Sequence, residues 1–279
     1  MPVDAEVREG VIALAREAAA AILRVYAVDF DVTRKDDASP LTEADLAAHR
    51  CIVAGLQALT PDIPVLSEES AHAMPAPTRR GWPRLWVVDP LDGTREFVKR
   101  NGEFTVNIAL VQAGVPVFGV IQAPVTGALW HGAPGEGAFR RDGSGDVPVR
   151  VRAPAIAPLR VAGSRSHRDP RTAALMARIA VDTGGQTETV ALGSSLKFCR
   201  IAEGGIDVYP RFGPTSEWDT AAGQAILEAA GGCVLDPRGQ PFRYNQRDTL
   251  LNGDFIALGD PGLPWREWLG PGAARPGAA

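Results

Sequence analysis

Apolar residues recur at three- and four-residue steps through the first sixty positions, then switch to short, nearly continuous runs. That change of period constrains the fold most, because helices and strands bury different sets of positions. Val7, Val11, Leu14, Ala15, Ala18, Ile22, Leu23 and Tyr26 predict an amphipathic helix over residues 3–27. After the polar stretch from Arg34 to Ser39, a second helix begins near Thr42 and ends at Thr60-Pro61. Leu46, His49, Val53, Leu56 and Leu59 form its apolar face. Strands are predicted at 63–66, 85–88, 104–111, 115–121 and 128–131, with a hairpin joining the third and fourth across Gln112-Ala113-Gly114.

A second half begins near residue 150. Strands at 159–162, 206–209, 233–235 and 255–258 alternate with helices at 170–181, 195–203 and 218–230, the last stopped by Gly231-Gly232. The alternation predicts an α/β layered structure. Two domains are expected, 1–150 and 151–269, followed by a disordered Gly/Pro/Ala tail at 270–279.

The chemistry is concentrated in carboxylates. Trp86-Val-Val-Asp89-Pro-Leu-Asp92-Gly-Thr94 runs an apolar strand into two acids three residues apart, split by a proline and closed by a glycine. Such a strand end can aim Asp89, Asp92 and the Leu91 carbonyl at one point, as hard oxygen donors for Mg²⁺. The same residues also make an ordinary turn. Glu68-Glu69 closes another apolar run, Asp45 lies on the first turn of the second helix, and Asp219 opens a late helix. Each has a plain structural reading as well: a capping box for Thr42 to Asp45, a first-turn acid for Asp219, a solvated pair for the glutamates.

At these residues the chain resembles the inositol monophosphatase superfamily of Mg²⁺-dependent, lithium-sensitive phosphomonoesterases, and within it the bacterial CysQ-type 3′(2′),5′-bisphosphate nucleotidases. The resemblance spans about residues 8–258 and rests on Ser39-Pro-Leu-Thr-Glu-Ala-Asp45, Val65-Leu-Ser-Glu-Glu69, Asp89-Pro-Leu-Asp-Gly-Thr-Arg-Glu-Phe97, Asn101-Gly-Glu-Phe-Thr-Val-Asn-Ile108, Gly193-Ser-Ser-Leu-Lys-Phe-Cys199, and Tyr209-Pro-Arg-Phe-Gly-Pro-Thr215 before Trp218-Asp-Thr-Ala-Ala-Gly223. It implies a layered α-β-α-β-α sandwich. It implies that Glu68, Asp89, Asp92, Asp219 and the Leu91 carbonyl hold two or three Mg²⁺, with Glu69 at a family position beside them. It implies that Asp45 and Thr94 orient the attacking water, with Glu68 also in the catalytic set, and that Gly93 and Thr94 N–H groups hold phosphate oxygens. His167, Ser194, Lys197 and Arg211, with Asp219, then contact adenosine 3′,5′-bisphosphate or its 5′-phosphosulfate analogue, in sulfur assimilation. Inositol monophosphate and fructose 1,6-bisphosphate are alternative substrates, and a non-catalytic nucleotide sensor is the alternative class.

Composition narrows the partners. With 33 acidic and 29 basic side chains the net charge is −4, so no global field draws the protein to nucleic acid, and a small anionic nucleotide must meet local cations. Three scattered cysteines form neither a disulfide framework nor a C-x-x-C metal pair, as expected of a cytoplasmic protein. No signal peptide or membrane span is read from the chain, although peripheral contact with the inner membrane face is compatible with it. Monomer and homodimer are both allowed.

Overall fold

The computed structural model describes residues 3–27, 40–143, 145–164 and 169–269. The polar stretch at 34–39, His167 and the 270–279 tail lie outside them.

The two N-terminal helices form as the apolar period requires: α1 (Ala5–Tyr26) and α2 (Pro40–Leu59). Asp4 caps α1 by accepting the Glu6 N–H at 2.8 Å. Because α2 starts at Pro40 rather than near Thr42, Asp45 sits in its second turn. Next come β1 (Val65–Ser67), α3 (Glu68–Ala71), α4 (Ala76–Arg80), β2 (Arg84–Asp92), α5 (Thr94–Val98), β3 (Thr105–Gln112), β4 (Val115–Gln122), β5 (Leu129–Ala133), β6 (Gly137–Asp142) and β7 (Gly145–Val149). These strands make one seven-stranded sheet in sequence order, antiparallel except where β1 meets β2. The predicted β3–β4 hairpin is present with a tighter connection than expected. Gln112 pairs with Val115, so only Ala113 (φ 48°) and Gly114 (φ 77°) turn the chain, both left-handed as a type I′ turn demands.

The second half contributes β8 (Leu159–Ser164), α6 (Pro170–Asp182), β9 (Thr187–Leu192), α7 (Leu196–Ala202), β10 (Val208–Arg211), β11 (Thr215–Ser216), α8 (Glu217–Ala229), β12 (Cys233–Leu235), β13 (Leu251–Asn252), β14 (Phe255–Leu258) and α9 (Trp265–Leu269). Its main sheet runs β12-β14-β10-β8-β9, and β11 pairs with β13 in a separate ribbon.

Both faces of the sheet are buried along β2 to β5, which is why those strands read as continuous apolar runs. Trp86, Val88, Ile108, Leu110 and Val120 pack under α1 and α2. Their alternating neighbours Leu85, Val87, Ala109, Val111 and Ile121 pack with Ala221, Ala222 and Ile226 of α8 and with Phe198 of α7. Close approach of α8 needs small residues on both sides. A Cβ on Gly119 of β4 would stand 2.5 Å from the Ala222 carbonyl oxygen, so glycine is required there. Beyond the second sheet, Leu175 and Ile179 of α6 and Trp265 and Trp268 of α9 cover Leu159, Val161, Val208, Ile256 and Leu258. The order of layers is therefore α1/α2, seven strands, α7/α8, five strands, α6/α9: the α-β-α-β-α sandwich expected. The apolar cluster around α8 draws residues from both sides of position 150.

Candidate active site

Asp89 and Asp92 end β2, and in a regular strand residues three apart point to opposite faces. The register resolves this. Asp89 pairs with Asn107 and Asp92 with Thr105, so β2 takes three steps where β3 takes two. That one-residue bulge carries both carboxyls to the same side. Pro90 falls within it, where a missing ladder donor costs little. Asp89 Oδ1 accepts the Leu91 N–H at 3.1 Å. Gly93 then turns the chain at φ 93° into α5. A Cβ there would stand 3.1 Å from both the Glu103 carbonyl oxygen and Ser194 Cβ.

Asp219 reaches the same point from the first turn of α8. Its Oδ2 accepts the Ser216 N–H at 2.8 Å, completing a capping box, and this structural role is compatible with a functional one. One carboxylate oxygen from each of Asp89, Asp92 and Asp219 lies within 4.8 Å of the others. Glu68, on the first turn of α3, lies close enough to Asp89 and Asp92 for their carboxyls to act on its charge. Asp45 projects from α2, which packs against α5, the helix that Thr94 opens. Asp45 is 7% exposed, and its Oδ1 is buried without a hydrogen-bond partner.

Burial dominates the electrostatics, and crowding adds to it. Burial, then the charges of Asp92, Glu68, Asp219 and Asp45, pushes the Asp89 carboxyl well above the usual carboxylate range. Burial raises Asp219 to about 7, aided by the charge of Asp92 and opposed by its bond from the Ser216 N–H. Burial and Glu69 raise Glu68 to about 7, and burial with Glu69 and Glu68 raises Asp45 to about 8. Among the described residues no Lys or Arg forms an ion pair with these acids. A set of hard oxygens, buried at Asp89 and Asp45 and half-buried at the others, mutually repelling and with one oxygen unpartnered, fits divalent cations: the donor chemistry is right for Mg²⁺ and the missing positive charge is what would relax it.

The cleft beside the acids is lined by Asp92, Gly93, Thr94, Ser194, Lys197, Arg211 and Asp219, so six residues expected to touch substrate share one cavity. His167, the seventh, is outside the described residues. Lys197 is 5% exposed; its Nζ donates to the Ser194 carbonyl at 2.9 Å and lies 5.2 Å from the Tyr209 ring centroid. Burial lowers its pKa to about 8, against the opposing pull of Asp92. Ser194 holds a left-handed backbone (φ 42°), unusual for a residue with a side chain, and its Oγ is buried without a partner, as is Arg211 Nε. These are polar groups still able to receive a ligand.

Two contributors escaped the reading of the sequence. Asn107, 1% exposed on β3, and Ser195, 2% exposed at the N-cap of α7, both bond to Asp92 Oδ2, at 3.4 and 2.6 Å. Asn107 had a signal: it is the one polar residue in the apolar run Val106 to Val111. Ser195 had none beyond its place in Gly193-Ser-Ser.

The family model for the inositol monophosphatase family matches residues 4–259, nearly the whole chain. The chain belongs to the inositol monophosphatase family. Among other members, it is 49% identical over 249 residues to the 3′(2′),5′-bisphosphate nucleotidase CysQ of Salmonella typhimurium, covering 88% of this chain and 97% of that one. It is 48% identical over 244 residues to the protein of the same name from Escherichia coli K12, covering 87% and 95%. The crystal structure of CysQ from Bacteroides thetaiotaomicron, described as a bacterial inositol monophosphatase family member, superposes with a TM-score of 0.82 at 44% identity, over 90% of this chain and 96% of that one. An inositol monophosphatase family structure from Zymomonas mobilis gives 0.76 at 26% identity, over 94% and 96%. No helix among the described residues is long and apolar enough to cross a membrane.

Proposed function

We propose that this protein is a 3′(2′),5′-bisphosphate nucleotidase that hydrolyses the 3′-phosphate of adenosine 3′,5′-bisphosphate, giving AMP and inorganic phosphate, and acts on the 5′-phosphosulfate analogue in the same way. The observation that carries the reading is the meeting, in one cleft, of Asp92 and Asp219, with Asp89 beside them, and Lys197 and Arg211. A monoester needs the first set, and only a substrate with a second anionic group needs the second. The activity for which those relatives are named agrees with this chemistry.

In this reading Glu68, Asp89, Asp92, Asp219 and the Leu91 carbonyl would hold two or three Mg²⁺. When bound, they supply the charge neutralisation and Lewis acidity that phosphoryl transfer requires. Asp45 and Thr94 orient a water for in-line attack on phosphorus as the bond to the ribose 3′-oxygen breaks. Gly93 and Thr94 backbone N–H groups hold the non-bridging phosphate oxygens. Lys197 and Arg211 face the 5′-phosphate, Ser194 donates to it, and His167 completes the set. The working compartment is the cytoplasm.

Specificity is tested by a panel of adenosine 3′,5′-bisphosphate, its phosphosulfate analogue, inositol 1-phosphate and fructose 1,6-bisphosphate. The nucleotides should be turned over with the highest kcat/KM. Exchanging Lys197 for Ala should raise KM for the bisphosphate by roughly ten-fold to a hundred-fold, the worth of one charge-assisted contact of about 1.5–3 kcal/mol. The same change should leave KM for inositol 1-phosphate nearly unaltered, because that substrate has no second phosphate. Equal effects on both would remove Lys197 from the 5′-phosphate site.

A further inference from the structure

Ser195 occupies a junction that none of the roles above assigns. Its hydroxyl donates to Asp92 Oδ2 at 2.6 Å and accepts from Asn107 Nδ2 at 2.9 Å; the Asp219 carbonyl oxygen is 3.0 Å away. A hydroxyl has one proton. With Asn107 filling its acceptor side, the proton goes to the nearer acceptor, Asp92. Asn107 is itself held by the ladder, opposite Asp89 across β2 and β3. One oxygen of Asp92, Oδ2, is thus bonded within the protein by both Ser195 and Asn107. Ser195 is also the residue between Ser194 and the first turn of α7, where Lys197 lies.

We infer that Ser195 is a positioning residue: it fixes which oxygen of Asp92 is presented to the cations, and it ties that carboxyl to the turn carrying Ser194 and Lys197. The inference rests on the phosphatase reading above. Its consequence is that a change in the anion-binding turn is transmitted to the cation site through one hydrogen bond of 2.6 Å. Residues that orient a metal's ligands typically govern affinity by ten-fold to a hundred-fold.

The test is calorimetric titration of the metal-free protein with Mn²⁺, compared among wild type, Ser195→Ala, Ser195→Thr and Asn107→Ala. Ser195→Ala should weaken Mn²⁺ binding by at least about ten-fold. Ser195→Thr, which keeps the hydroxyl, should recover most of that loss. Asn107→Ala should weaken binding in the same direction by roughly three-fold or more, and it carries the test alone if Ser195→Ala does not fold. In activity the defect should lie in the Mg²⁺ half-saturation rather than in KM at saturating Mg²⁺. Mn²⁺ affinities of both alanine variants within about two-fold of wild type would overturn the inference while leaving the phosphatase reading intact. Failure of the wild-type protein to bind Mn²⁺ at all would instead defeat that reading, and the inference with it.

Discussion

Asp89→Asn should abolish phosphate release, lowering kcat by at least about 10³-fold, while the metal-free protein folds as well as wild type or better. The two halves of this expectation come from the same fact. Asp89 is 1% exposed and faces four other acids, and burial and those charges hold its carboxyl far above its usual range. An amide of nearly the same shape removes the group at the centre of that repulsion, so circular dichroism and the melting temperature in EDTA should be unimpaired. The amide is a poorer cation ligand, so the melting temperature should no longer rise on adding Mg²⁺, as it must when a ligand binds only the folded state. A variant that kept wild-type turnover at ordinary Mg²⁺ would remove Asp89 from the reaction. A variant that lost activity by unfolding would show that the carboxyl is structural.

The second large effect is on stability against pH. In EDTA the protein should become less stable between pH 5 and pH 8. Asp45 titrates at about 8 and Glu68 and Asp219 at about 7, with Asp89 also raised, whereas unfolded carboxyls ionise near pH 4. Between those values the unfolded chain has released protons that the folded chain retains, so each rise in pH favours unfolding. A net shift of two pKa units, about 2.7 kcal/mol, would lower Tm by at least roughly 5 °C. The window closes at pH 8 because Lys197, depressed to about 8 by burial, acts in the opposite sense above it. Glu217 and Glu228 are raised by burial too and add in the same direction as the acids. Saturating Mg²⁺ separates them, since it should flatten only the part that comes from the cluster. Metal affinity should itself rise with pH over this range, because a bound carboxylate must be deprotonated. A Tm in EDTA that is flat or climbs from pH 5 to pH 8 would contradict the electrostatic account.

Much of this architecture was legible in the chain, and the parts that were not have identifiable causes. Helices α1, α2, α6 and α8 and strands β2, β3, β4, β12 and β14 announced themselves because each buries a face whose period survives in the residues. Strands β6, β7 and β9 did not. The run from Arg140 to Asp146 is polar, and it is held by pairing with β5 and by Arg141, which bonds to both Glu9 and Asp146. Strand β9 lies at a sheet edge and is half exposed, so its residues carry little apolar signal. At the site, the acids were recognisable by type, but their convergence was not. It depends on the bulge between Asp89 and Asp92, on α8 crossing the sheet at Gly119, and on the capping box that turns Asp219 inward. None of these is a local property of an acidic residue. Asn107 and Ser195 went unread for a related reason: their meaning lies in what they hold, and Ser195 stands 103 positions from the carboxyl it touches.

The claim on which the account stands is that Asp89, Asp92 and Asp219, joined by Glu68, form one cation cage. Anomalous diffraction from a crystal grown with Mn²⁺ tests it most directly. The account predicts strong anomalous peaks roughly 2.1 Å from oxygens of Asp89, Asp92, Asp219 and Glu68, and their loss in Asp89→Asn. Density for Mn²⁺ elsewhere on the protein, with the four carboxyls bonded only to water and to one another, would contradict it.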